Sequence, residues 1–211
     1  METTIHMKSL YILLTVVLFT SCSSSHTDKV PEKFDTNSQK GIAVGTLTFD
    51  ADMPKNDIYR FFYEPVSTTD KKFIRKNKGK VMVKARIKND RGFNGDFNDK
   101  KTYLFVIEAD PGQYAFIDYA MLNHIGEMGT MSFSRPFSIP FEVKKGEIAY
   151  IGELTYHQEA GQDEPKISVS DNFDRDINEL KTKFPAIDWN KSYNKTVKAG
   201  ENANCLIEFK Q

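Results

Sequence analysis

The stretch from Phe141 to Phe184, FEVKKGEIAYIGELTYHQEAGQDEPKISVSDNFDRDINELKTKF, constrains the fold more than any other part of the chain. Ile148, Tyr150, Leu154 and Tyr156 fall on one face of an extended segment and Ala149 and Ile151 on the other, so both faces are apolar. That pattern belongs to a central strand covered on both sides. Lys145-Gly146 just before it suits a tight turn, which predicts Phe141 and Val143 as the facing strand. Gly152 inside the strand predicts a bulge or a close backbone approach. Ile167 and Val169 alternate as a short strand, and Asp171 or Asn172 then caps a helix. The helix stripe is Phe173, Ile177, Leu180 and Phe184, and Pro185 ends it.

The rest of the chain supplies strands for this unit to bury. Ile42 to Phe49 alternates as a half-buried strand with Thr46 and Thr48 on the wet face. Tyr59, Phe61 and Tyr63 share a face within Asp57 to Val66, and Pro65 places the end of that strand at an edge. Val81 to Lys88 sets Val83, Ala85 and Ile87 inward and Lys84, Arg86 and Lys88 outward. Tyr103 to Ile107, the turn Asp110-Pro111-Gly112 and Tyr114 to Met121 predict a hairpin, because Pro presets φ and Gly accepts positive φ. Leu122 to Ser138, with Met128, Met131, Phe133 and Phe137, reads as a short strand plus an irregular crossover. Its Met and Phe either line a groove or lie in the core. Ala203 to Phe209 closes the sheet, with Cys205 as a small buried hydrophobe. The expected fold is a mainly β, antiparallel β-sandwich of roughly eight to ten strands with one late helix.

DPGQYAF at Asp110 to Phe116, followed by FEVKKGEIAYIGEL at Phe141 to Leu154, resembles the paired signatures of uncharacterised bacterial lipoproteins with a prealbumin-like or immunoglobulin-like sandwich. The resemblance covers about Tyr103 to Ile187. It implies a fold and carries no catalytic residue.

The N-terminus points to the cell envelope. Lys8 precedes a run of about ten mostly apolar residues, Leu10 to Phe19, which is too short to span a bilayer and suits a signal peptide. Met7-Lys8 resembles a natural start. Thr20-Ser21-Cys22 sets small residues ahead of a cysteine, as in bacterial lipoprotein signals, so residues 1–21 are expected to be removed and Cys22 lipidated with palmitate-type acyl chains. Residues 22–40 are polar apart from Val30 and Phe34 and read as a flexible tether to a domain at 41–211. These features favour the outer membrane of a Gram-negative envelope. With Cys22 lipidated, Cys205 is left without an intramolecular partner.

The chain is neutral, with 29 Lys plus Arg against 29 Asp plus Glu, yet Lys71 to Lys88 holds nine bases and no acid. The rest of the chain is therefore net acidic. Lys71, Lys72, Arg75, Lys76, Lys84, Arg86 and Lys88 form a candidate patch for anionic lipid, lipopolysaccharide or an envelope protein. The plainer alternative is a solvated face whose long stems cover apolar surface. Nucleic acid is not expected, given the envelope signal and the absence of a binding motif.

Chemistry-bearing motifs are sparse. HExxH, GxSxG, Walker and dinucleotide-glycine patterns are missing, so no catalytic residue, cofactor or metal is assigned. Asp90, Asp96, Asn98 and Asp99 offer oxygens without the spacing of a calcium loop. Asp171, Asp174 and Asp176 suit a helix N-terminus. His124 with Glu127 and His157 with Glu159 do not make metal pairs, and the lone Trp189 reads as packing. The function expected is a lipid-anchored binding or assembly module. The alternative is an envelope glycan hydrolase whose carboxylates converge from distant segments.

Overall fold

The computed structural model describes residues 30–85, 92–125, 128–161, 163–200 and 205–210. Its strands are β1 (Gly41–Phe49), β2 (Ile58–Pro65), β3 (Gly79–Lys84), β4 (Thr102–Ala109), β5 (Gly112–Ile125), β6 (Met128–Phe133), β7 (Ile139–Val143), β8 (Ile148–Tyr156), β9 (Ile167–Ser170), β10 (Ser192–Asn194) and β11 (Ile207–Phe209). Two helices, α1 (Lys71–Asn77) and α2 (Phe173–Lys183), and a 3₁₀ turn (Trp189–Lys191) complete the described elements. The first sheet runs β11-β9-β8-β1-β4 with β10 beside β8, and the second runs β3-β2-β5-β6 with β7 beside β5. The sandwich is therefore present, with α2 as the expected late helix and α1 as an additional early one.

The two sheets enclose an aromatic core. Tyr156 lies 5.8 Å from the Tyr59 ring and 5.5 Å from Tyr119, both edge-on, and Phe116 stands 5.9 Å from Phe105. A second core forms where α2 covers the outside of the first sheet. There Ile177 and Leu180 meet Ile42, Val44, Ile148, Tyr150 and Trp189, with Phe173 and Phe184 packed beside them. The helix stripe read from the sequence is thus the buried one.

This third layer explains several departures from the sequence reading. β1 is buried along its whole length, because its supposedly wet face lies beneath α2. β8 is central as expected, but its two halves do not share one alternation. Ile148 and Tyr150 face the helix, whereas Leu154 and Tyr156 face the inter-sheet core with Ala149 and Ile151. The cause is a bulge: the β1 register jumps from Val44↔Tyr150 to Thr46↔Glu153, and Gly152 takes φ +116° at the extra residue. A side chain at Gly45 would stand 2.4 Å from the Gly152 carbonyl, so two backbones meet there. The bulge turns Glu153 toward the helix layer, where it is 7% exposed.

Both predicted hairpins are corners between sheets. β4 pairs with β1 and β5 with β2, so Asp110-Pro111-Gly112 carries the chain across the sandwich. The Tyr114 hydroxyl donates to the Asp110 carbonyl at 2.7 Å and braces the corner. Likewise β7 pairs with β5 and not β8, and Gly146 at φ +70° makes that crossing. The first sheet is also mixed: β8 pairs parallel to β1 and β10, and β11 parallel to β9. Cys205 is exposed at φ +69°, in a turn before β11, and not in the core. Residues 30–40 belong to the folded unit: Val30 and Phe34 pack against the second core, ahead of the boundary expected at Gly41.

Candidate functional site

The outer face of the second sheet is most exposed along β6, and its side chains are graded from one edge to the other. Register places Lys84, Ile58, Leu122 and Met131 in one row across the four strands. The next row is Met82, Arg60, Ala120 and Phe133. One edge of the face is therefore basic and the other apolar. All six residues of β6 are exposed, and Met128, Met131 and Phe133 are 76%, 46% and 67% exposed. The sequence left Leu122 to Ser138 open between groove and core. Of its large residues only Phe137 of that list is core, at 4% exposure.

The basic run is split between elements. Asp70 caps α1 by accepting the Lys72 amide at 2.8 Å, and the half-buried Phe73 and Ile74 hold the helix to the domain. Lys71, Lys72, Arg75 and Lys76 are exposed on α1, Lys84 lies on the basic edge, and Arg86, Lys88 and Cys22 lie outside the described residues. A groove of about 740 Å³ opens beside α1 and receives Lys40, Lys76, Lys78 and Lys80 together with Glu64, Glu108 and Asp118. Phe62 and Phe133 supply its apolar wall. Among the described residues of the predicted patch only Lys76 lines this groove, and the acids from β2, β4 and β5 offset the bases that the sequence shows as a bare run.

Lys76 has a structural duty as well. Its ammonium sits 2.6 Å from the Asp110 carboxylate, which also accepts from the Asn77 amide at 3.2 Å. The hydrogen bond from Lys76 leads the causes holding the Asp110 carboxyl below the usual aspartate value. A carboxyl held low contributes stability above its unfolded pKa, and that contribution is lost as pH falls through the folded value. Lys76→Met is therefore expected to raise the Asp110 pKa and to make the acid-side loss of stability shallower, measured by NMR titration and by unfolding across the acid range. An unchanged titration would show that the pair does not couple. In the groove, burial and then the Glu64 charge push the Asp118 carboxyl up.

Under α2 lies a polar network that sequence reading did not find. Asp176, 0% exposed, accepts from Thr46 Oγ1 and Tyr150 Oη at 2.7 Å each. Arg175 Nε and Nη2 reach its other oxygen at 2.8 and 2.7 Å, and Arg175 also pairs with Glu153. Thr48, Asn172 and Thr155 complete the shell of Glu153 at 2.8, 3.1 and 3.3 Å. Every group is partnered, so the network clamps the helix to the sheet.

A second convergence joins Asp50, His157 and Ser168. Asp50 Oδ2 lies 2.8 Å from His157 Nδ1, and His157 Nε2 lies 2.9 Å from Ser168 Oγ. The connectivity is that of an acid, base and nucleophile. Ser168, however, is 0% exposed, so its hydroxyl presents no surface to an external carbonyl. A serine-directed phosphonate is accordingly expected to leave Ser168 unlabelled, as read by peptide mass. Stoichiometric labelling would make this triad an active site. The other histidine among the described residues, His124, pairs with Asp57 at 3.0 Å. No group of three or more metal-ligating side chains occurs among the described residues. Trp189 is packing, its indole donating to the Phe184 carbonyl at 2.8 Å.

No protein-family model matches the chain, and no curated protein does. Among solved structures, a leucine-rich repeat protein from Bacteroides thetaiotaomicron VPI-5482 aligns over 71% of this chain with 10% identity and a TM-score of 0.32. The chain spans 16% of that protein.

Proposed function

We propose that the chain is a lipid-anchored envelope lipoprotein whose sandwich acts as a binding or assembly module, and that its working surface is the outer face of the second sheet. The observation that carries this reading is β6, an edge strand exposing Met128, Met131 and Phe133. Soluble domains seldom leave such a strand open without a partner. The basic edge at Lys84, with the groove at Lys76, supplies the charge contacts of that surface. The anchor is Cys22, and an outer-membrane address follows from the signal read at residues 1–21.

The test replaces Phe133 with a photo-crosslinking amino acid in cells, with Lys181 on α2 as the control position. Capture at Phe133 and not at Lys181, together with a lipid mass on the Cys22 peptide, supports the reading. Equal capture at both positions removes the second sheet as the binding face, and an unlipidated N-terminus removes the anchor.

A hydrolytic reading has one observation in its favour, namely that Glu64 and Asp118 line one groove and Asp118 is held protonated longer than usual. Turnover of an envelope glycan that disappears in both Glu64→Gln and Asp118→Asn, with folding intact, would establish it in place of the binding module.

A further inference from the structure

We infer that β6 pairs with β6 of a second copy, antiparallel about a twofold axis at Met131, joining two second sheets into one. The inference rests on the proposed reading of this face as a binding surface and names its occupant.

The sheet edges carry the argument, because an unpaired strand invites another and folded proteins guard against it. β3 carries Lys80 and Lys84. β4 is blocked by the preceding loop, whose Asp96 carboxylate takes the Leu104 amide at 2.7 Å while its own amide bonds the Thr102 carbonyl. β10 and β11 have three residues each. β7 contains Pro140, and Gly200 crosses it so closely that a side chain there would stand 2.2 Å from the Ser138 carbonyl. β6, MGTMSF, has no charge, no proline and no covering segment among the described residues.

Its own side chains and surroundings select a second copy. A twofold axis normal to the sheet keeps each face on its own side, so residues opposite one another must share parity. Centring on Met131 sets Gly129 opposite Phe133 and Thr130 opposite Ser132. The exposed ring then covers the glycine of the other copy, and the hydroxyls meet across the strands. The ends of β6 are complementary in charge. Asp57, beside His124, lies at the Gly129 end, and the exposed Arg135 lies just past the Phe133 end, where Asp118 turns into the groove. Antiparallel pairing brings each Arg135 toward the Asp57 end of the other copy. The same axis puts both α2 layers, and with them both seated Val30 segments, on one side. Two anchors can then enter one bilayer.

The experiment is disulfide trapping of the full chain in cells. Met131→Cys is made with Cys205→Ser, and Lys181→Cys in the same background is the control, which also reports any product through Cys22. Opposed positions in antiparallel strands lie within disulfide reach. A product of twice the chain mass from Met131→Cys, absent from Lys181→Cys, is expected. Met131→Lys, which sets two ammonium groups face to face, is expected to lower the native mass of the purified chain from two copies to one, with the circular dichroism of the folded chain unchanged. If Met131→Cys gives no double-mass product while the photo-probe at Phe133 still captures another protein, the second copy is overturned and the binding face survives. If neither position yields a product, both are overturned.

Discussion

Replacing Asp176 with alanine is expected to lower the unfolding free energy by about 3–5 kcal/mol, the range for breaking one side of a buried ion pair. The carboxylate is 0% exposed, and its four contacts all come from donors: the hydroxyls of Thr46 and Tyr150 and two nitrogens of Arg175. Alanine leaves the Thr46 and Tyr150 hydroxyls facing an apolar methyl and Arg175 with Glu153 alone. Asparagine is expected to cost less. Its carbonyl can keep Arg175 while its amide donates to hydroxyls that are able to turn and accept. Denaturant unfolding of the two variants measures the difference, and a loss below about 1 kcal/mol for alanine would place α2 docking on apolar contacts alone.

The same site has a pH signature. Burial pushes the Asp176 carboxyl up, and the donors, Tyr150 and Thr46 first, only partly offset it. A carboxyl raised in the folded chain contributes stability that is complete below its unfolded pKa and is lost as pH rises through the folded value. The Asp176→Asn profile is expected to lack that decline.

Two layers of the fold were legible in the sequence because they depend on local periodicity. The α2 stripe at Phe173, Ile177, Leu180 and Phe184 and the inward face of Tyr59, Phe61 and Tyr63 follow from spacing alone, and each lies where spacing puts it. Partner choice was not legible. The turns at Asp110-Pro111-Gly112 and Lys145-Gly146 have hairpin chemistry, but which sheet the next strand joins depends on what covers the strand faces. Thr46 and Thr48 read as wet and Asp176 as a helix N-terminal charge for the same reason, since only their convergence with Glu153 under α2 makes them interior. The bulge was visible as Gly152, but its effect on alternation was not. On the outer face of the second sheet, Lys84 lies outward as its alternation predicts, whereas β6 carries no period-two signal that separates an open edge from a buried crossover.

Trp189→Ala is the second large effect, with an expected loss of about 3–5 kcal/mol, as for other buried large aromatics. Trp189 is 2% exposed, and the cluster it belongs to is also the one on which Val30 and Phe34 rest. The consequence reaches the N-terminus. Gly146 leaves room for that segment, since a side chain there would stand 2.0 Å from the Thr36 carbonyl. With Val30 seated, Cys22 can lie at most roughly 30 Å away, whereas a chain fixed only from Gly41 could reach roughly 65 Å. The second core thus sets how far the proposed lipid anchor would let the proposed binding face travel from the bilayer. Hydrogen exchange at Phe34 to Thr36 is expected to rise in Trp189→Ala ahead of exchange in β2 and β5. Phe34→Ser is expected to produce the same local release with a smaller global loss. If exchange in all these segments rises together in both variants, residues 30–40 unfold only with the whole domain, and the seat does not act as a separate latch on the tether.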